Sequence, residues 1–459
     1  MAGHSWALMP SVLIVEILSY LSLKDMLNAS SVCKTWRSYL FQAKLWTRMT
    51  FFLRRNRRQK NKFLADVCGR FIRECAINFD PHDGDELREC FHLLHVLSEN
   101  RNIQVLQLHP RSCHTEWTDF VTSDRFACKI ESIIQSSRKF KHLSLGCSEE
   151  LLAHCEKWMD ILSRLHYNSL ESLHLATVKE DSENYGIVDL DVNKFQAFTC
   201  LKHISIDYDH LNNRFLQIFS DSCSKPIETL NIHIHGVGPD HEKVTNASWR
   251  LFSSHNKNVE VTINLIHSYT GVSNLLDILK PSIPLTHFRQ FFCSNINVAA
   301  LGLMSSYYSQ TLTSVHIVDG MEDGLPVMYE VTANEDPFVM MAWRCMKLTH
   351  FTFIGYHIAE EDVIAIARLR GKLLKQLHIP TTCISWTDFD GIEHMGNNGN
   401  EFDTMISDSV GYRWKPLRDH QLPDAVFDDW ADAEQAYNEI LLHDQRYKSA
   451  LKVDNGTTQ

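Results

Sequence analysis

The segment Ile103-Gln-Val-Leu106-Gln-Leu108 has the form L-x-x-L-x-L, and the chain keeps returning to it. Clean copies stand at Phe140, Leu143 and Leu145; Leu170, Leu173 and Leu175; Leu201, Ile204 and Ile206; and Ile227, Leu230 and Ile232. Others stand at Leu312, Val315 and Ile317; Leu348, Phe351 and Phe353; and Leu374, Leu377 and Ile379. Degraded copies lie at Val259–Ile263, Leu285–Phe288 and Ile77–Phe79. From residue 106 to residue 377 the central positions follow one another at steps of 26 to 37 residues. Successive strand residues point to opposite faces, so each copy commits one face of a short strand to a core. A unit this short cannot bury that face alone; its neighbours must stack on it.

The stretches between the copies carry helical periodicity. Residues 149–165, 212–220, 272–280 and 360–370 space their apolar positions three and four apart. Gly371 stops the last of these, and Asp336-Pro337 reads as an N-cap with proline at the first helical position. Strands alternating with helices at a fixed period predict an α/β solenoid with a parallel sheet on its concave face.

Charge and cysteine usage exclude several functions. Residues 1–75 carry +9, and the rest of the chain carries −20 of the net −11. A chain acidic over most of its length is a poor nucleic-acid binder, because phosphate contacts need a basic surface. The basic run Arg54–Lys62 reads as a solvated helix face or linker. The apolar stretch 12–21 is broken by Glu16, so no segment is read as crossing a bilayer, and no secretory signal is evident. The 13 cysteines include no Cys-x-x-Cys pair, which argues against a disulfide framework and for a cytoplasmic or nuclear setting.

The first fifty residues are a separate module. After Pro10, Leu13, Ile14, Ile17, Leu18 and Leu21 form an apolar stripe; Met26, Leu27 and Ala29 resume it. A third helix is expected from Ser30 or Ser31, carrying Val32, Cys33, Trp36, Tyr39 and Leu40, with Leu45-Trp46 closing the block. The order Met9-Pro10, Ile14, Ile17, Leu21, Asp25-Met-Leu27, Val32-Cys-x-x-Trp36 and Leu45-Trp46 resembles an F-box. Val12 departs from that pattern, which usually carries an acidic residue there. The later copies resemble irregular leucine-rich repeats without a regular Asn ladder. Residues 278–285, 334–345 and 364–371 are similar to stretches in the F-box-only proteins.

The resemblance implies that the module docks on Skp1, and through it on a cullin–RING complex. Pro10, Ile14, Ile17, Leu21, Leu27, Val32, Cys33 and Trp36 are the implied contacts. Cys33 reads as a small filler on the third helix, because no base or cationic pocket lies near to activate a thiol. The expected domains are an F-box at 5–50, a basic linker or helix at 51–70, repeats at 71–384, and an acidic loop and capping helix at 385–459.

Strand alternation sends one row of side chains away from the core. Among them His174, His203, Asn231, His316, His350 and His378 make a polar, His-rich face, the candidate surface for an unknown protein substrate. No phosphate loop, nucleophile elbow or metalloprotease helix is present. His233-Ile-His235 offers two imidazoles on one strand face without an obvious third ligand. Both read as solvated, and no metal or cofactor is expected. The chain therefore reads as a non-catalytic substrate-recognition subunit of an SCF-type ubiquitin ligase, with no nucleic-acid or membrane partner. The alternative is a Skp1-binding repeat scaffold that does not promote ubiquitin transfer.

Overall fold

A computed structural model describes residues 9–427 apart from 180, 182–184, 222–224, 239–240, 322–323, 325, 328–335 and 387–398. The described residues fall into two units. One takes residues up to Leu175 together with Asp189–Leu201; the other takes Ala176–Val188 and residues from Lys202 on.

The first unit opens with helices α1 (Ser11–Tyr20), α2 (Leu23–Ser30) and α3 (Lys34–Tyr39). Pro10 precedes α1 with φ of −55°, a value its ring imposes. Ile14 and Leu18, one turn apart, are the residues α1 buries completely. Ser22 caps α2 by accepting the Asp25 amide. The third helix starts later than its sequence suggests. Cys33 is its extended N-cap, with φ of −155°, and the Cys33 Sγ accepts the Trp36 amide at 3.5 Å. The three-residue spacing from Cys33 to Trp36 is thus a capping interval, and Val32 lies outside the helix. Met26, Leu40, Leu45 and Trp46 complete the small core, with the Trp46 indole N–H donating to the Leu40 carbonyl.

Strand β1 (Arg48–Phe52) follows Trp46 almost directly and lies across the boundary expected at residue 50. It pairs in parallel with β2 (Glu74–Phe79), which pairs with β3 (Val105–Pro110), then β4 (His142–Ser144) and β5 (Ser172–His174). Met49, Cys75, Leu106, Leu143 and Leu173 stand in register and are all buried, so one apolar row runs across the five strands. The basic run contributes the exposed side of the helix Arg58–Cys68, whose Leu64, Ala65 and Cys68 are buried. Asn100 and His166 sit after helices and take up backbone groups of adjoining turns. Asn100 Nδ2 donates to the Gly69 and Ile72 carbonyls, and His166 bridges the Phe140 amide and the Ile134 carbonyl.

The second unit repeats the plan. Its strands are β6 (His203–Asp207), β7 (Thr229–Ile234), β8 (Glu260–Ile266), β9 (Leu285–Phe291), β10 (Ser314–Val318), β11 (His350–Ile354) and β12 (Gln376–His378). Each pairs in parallel with the next. Ile204, Leu230 and Val261 align, as do Phe288, Val315, Phe351 and Leu377. A register shift between Val261 and Thr262 brings Ile263, rather than Val261, opposite Phe288. That shift falls where the sequence repeat is most degraded. The α/β class and parallel pairing follow the repeat as read, and the helix Glu360–Arg370 ends at Gly371 with φ of 54°.

Past β12 the structure departs from the expected tail. The helix Gly399–Val410, unforeseen in a segment read as leaving the repeat, buries Phe402, Ile406 and Val410. Trp414 is buried beside it and donates its indole N–H to the Leu377 carbonyl of β12 at 2.7 Å. Leu417 donates its amide to the Ile379 carbonyl and accepts from the Thr381 amide. Most of the acidic helix expected beyond residue 423 lies outside the described residues.

Candidate functional site

The N-terminal helices bury one side and leave the other apolar and open. Val12 is 75% exposed, Leu13 51%, Tyr20 80% and Val32 75%. Tyr20 donates its hydroxyl to Glu16, one turn earlier, and Lys44 hydrogen-bonds the same carboxylate, which holds Glu16 below the usual carboxylate range. Val12, Leu13 and Tyr20 on α1, and Val32 ahead of α3, are thus apolar groups that the module does not cover itself. A group of exposed aliphatic and aromatic side chains on one small module marks an interaction surface.

The eight residues implied by resemblance divide. Pro10 and Val32 are exposed; Ile17, Leu21, Leu27, Cys33 and Trp36 are half-buried. Ile14 is fully buried, so its side chain belongs to the module's own core and not to its free surface. Val12, Leu13 and Tyr20, outside that set, are exposed as well. Leu13 belongs to the apolar stripe, and Tyr20 follows it by seven residues, two helical turns, so the spacing held the signal.

The outward row of the strands is less open than alternation implied. His174 and Asn231 are buried, as are Gln107, His142, Ser144, Ser205 and Thr352. Adjacent parallel strands stand close enough for these polar residues to cover one another. Gln107 and His142 share a 3.1 Å hydrogen bond, and Asn231 Nδ2 donates to Ser205 Oγ at 3.0 Å. His378 is exposed and His203, His316 and His350 are half-buried, all in the second unit.

His233 and His235 are not solvated. Both are buried, and so is Asp207, which stands directly opposite His233 in the β6–β7 register. One donor atom from each of the three residues lies within 4.8 Å of the others. The third potential ligand, absent from the local sequence, is thus one repeat away. Aligning Ser205-x-Asp207 with Asn231-x-His233 would have found it. Elsewhere, burial pushes the thiols of Cys68 and Cys155 up to about 12 and those of Cys345 and Cys383 up to about 11. These cysteines are packing groups, not nucleophiles.

Residues 6–52 match the F-box-like family. With the parallel strand–helix repeats that follow, the chain resembles F-box proteins carrying leucine-rich-repeat-like repeats. The chain is similar to F-box only protein 33 of Homo sapiens, at 28% identity over 474 residues, covering 90% of this chain and 83% of that protein. The Mus musculus protein of the same name is 27% identical, with the same coverage of each chain. F-box/LRR-repeat protein 21 of Mus musculus is 21% identical over 422 residues, 90% of this chain and 89% of its own. Among solved structures, the crystal structure of a TLR13-ssRNA13 complex matches 70% of this chain and 48% of its own, at 8% identity and a TM-score of 0.30.

Proposed function

We propose that this chain is the non-catalytic substrate-recognition subunit of an SCF ubiquitin ligase. Its N-terminal module docks on Skp1, and its repeats hold a protein target. The observation that carries the reading is the exposure of the apolar side chains Val12, Leu13, Tyr20 and Val32 on a module matching the F-box-like family. Clustered exposed apolar side chains of this kind mark interaction sites. Bringing a bound target near a ubiquitin-charged enzyme accelerates transfer through proximity, which asks no catalytic group of this chain. The partly open histidines His203, His316, His350 and His378 are the proposed target surface.

The test has two arms. The full chain is co-expressed with Skp1 and purified through Skp1, and the complex is added to cullin, RING subunit, charged conjugating enzyme and proteins captured by the repeats. Recovery of the chain with Skp1, and ubiquitylation of a captured protein that needs residues 9–52, is the expected result. Recovery without any transfer would leave the scaffold reading in its place. Failure to co-purify would remove both.

A further inference from the structure

We propose that Asp207, His233 and His235 form a binding site for a divalent transition-metal ion of the zinc class. The three side chains bring donor atoms within 4.8 Å of one another and are all buried. Two imidazoles and a carboxylate are a donor set that suits zinc, whereas magnesium and calcium favour all-oxygen sites. A three-ligand protein set leaves the fourth tetrahedral position for water or an incoming group.

One residue, Thr177, orients all three ligands. Its amide donates to Asp207 Oδ1 at 2.8 Å and its hydroxyl to Asp207 Oδ2 at 2.6 Å. Its carbonyl accepts from His233 Nδ1 at 2.8 Å and from His235 Nε2 at 3.0 Å. A carbonyl only accepts, so those two ring nitrogens carry the protons, and in the neutral ring of His235 the lone pair lies on Nδ1. Metal-binding imidazoles are commonly fixed this way, by giving the second ring N–H to a carbonyl or carboxylate. His235 Nδ1 is buried without a hydrogen-bond partner. A buried polar atom left unpaired is costly, and a bound ion would satisfy it.

A resident cation already stands beside the carboxylate. Lys179 Nζ is 3.6 Å from Asp207 Oδ2 and 4.8 Å from the centre of the Tyr185 ring. In the metal-free chain the ammonium serves as the counter-ion of Asp207. A dication entering the cluster takes over that role, and Lys179 withdraws along Tyr185. Lys179 therefore opposes the ion, and removing its charge strengthens binding.

The experiment uses the full chain, stripped of metal by chelation and titrated with Zn²⁺ and then Co²⁺. The expected result is one equivalent of Zn²⁺ that raises the melting temperature. Co²⁺ should give a visible ligand-field spectrum without the near-ultraviolet thiolate band that the chain's 13 cysteines would produce. Asp207→Asn and His235→Gln should lose that equivalent. Lys179→Met should gain affinity for Zn²⁺ by about tenfold, roughly 1.4 kcal/mol, because a like charge beside the ion is removed. This gain of binding does not depend on the ligand variants folding well. No zinc equivalent in the unaltered chain, an equivalent that survives both ligand variants, or no gain in Lys179→Met would each overturn the site.

Discussion

Replacing Val12, Leu13 and Val32 together by Ser separates the free face of the N-terminal module from its core. Fully burying an aliphatic side chain is worth about 1.5–3 kcal/mol. Val12 and Val32 keep three quarters of their surface open and Leu13 half. Covering them in an interface therefore contributes about 4 kcal/mol, taking ~2 kcal/mol per complete burial. At about 1.4 kcal/mol per factor of ten, the triple variant should bind Skp1 roughly a thousandfold more weakly. Its melting temperature should hold, because surface substitutions commonly change stability by no more than about 0.5 kcal/mol each. Ile14→Ala, on the same helix but fully buried, should instead cost about 2–5 kcal/mol of stability. Titration calorimetry with purified Skp1, paired with thermal melts of both variants, reads both quantities. Unchanged Skp1 affinity in the triple variant would sink the docking assignment. A collapse in its melting temperature would show that these side chains serve the core instead.

Three further outcomes follow from other sites. Gly355 has φ of 93°, and a Cβ there would lie 2.5 Å from the Asp319 carbonyl oxygen, so Gly355→Ala should cost about 1–3 kcal/mol in urea unfolding. Trp414→Ala removes a buried indole and its bond to Leu377, and should cost about 3–5 kcal/mol while speeding amide exchange in β12. His109 Nε2 is buried without a partner, and burial, helped by nearby His174, pushes its pKa from 6.5 to about 4. A base depressed by folding contributes fully above pH 6.5 and loses that contribution as pH falls toward 4, a change of up to about 3 kcal/mol. His109→Gln should flatten the stability–pH curve across that window in denaturant titrations.

Much of this fold was legible because its core residues obey a strict local rule. All ten central positions counted from Leu106 to Leu377 fall in strands, since a buried parallel strand cannot exchange its apolar face for a polar one. The helix start at Asp336-Pro337 was equally legible, because its cap is a local hydrogen bond to the Phe338 and Val339 amides. What escaped was set by packing across repeats. Alternation says which way His174 points, but not that it is buried. It also places His233 and His235 on one face without revealing that Asp207 stands beside them. Strand β1 and the helix Gly399–Val410 were missed because each is stabilised by the repeat it abuts rather than by a motif of its own. The filler reading of Cys33 weighs only whether its thiol is activated, whereas its three-residue spacing to the Trp36 amide is the interval of a cap.

The segment that follows β12 has a consequence for how the protein behaves among copies of itself. A parallel ladder that grows by adding strands has no intrinsic stop, and its last strand presents carbonyls and amides to any extended chain. Here the Leu377 carbonyl receives the Trp414 indole and the Ile379 carbonyl receives the Leu417 amide. The template is thereby occupied by the chain's own tail. Trp414 and Leu417 thus act as a terminator. Damage to them would convert a self-limiting array into one whose growing end is open to strands from another molecule, adding insolubility to the loss of stability.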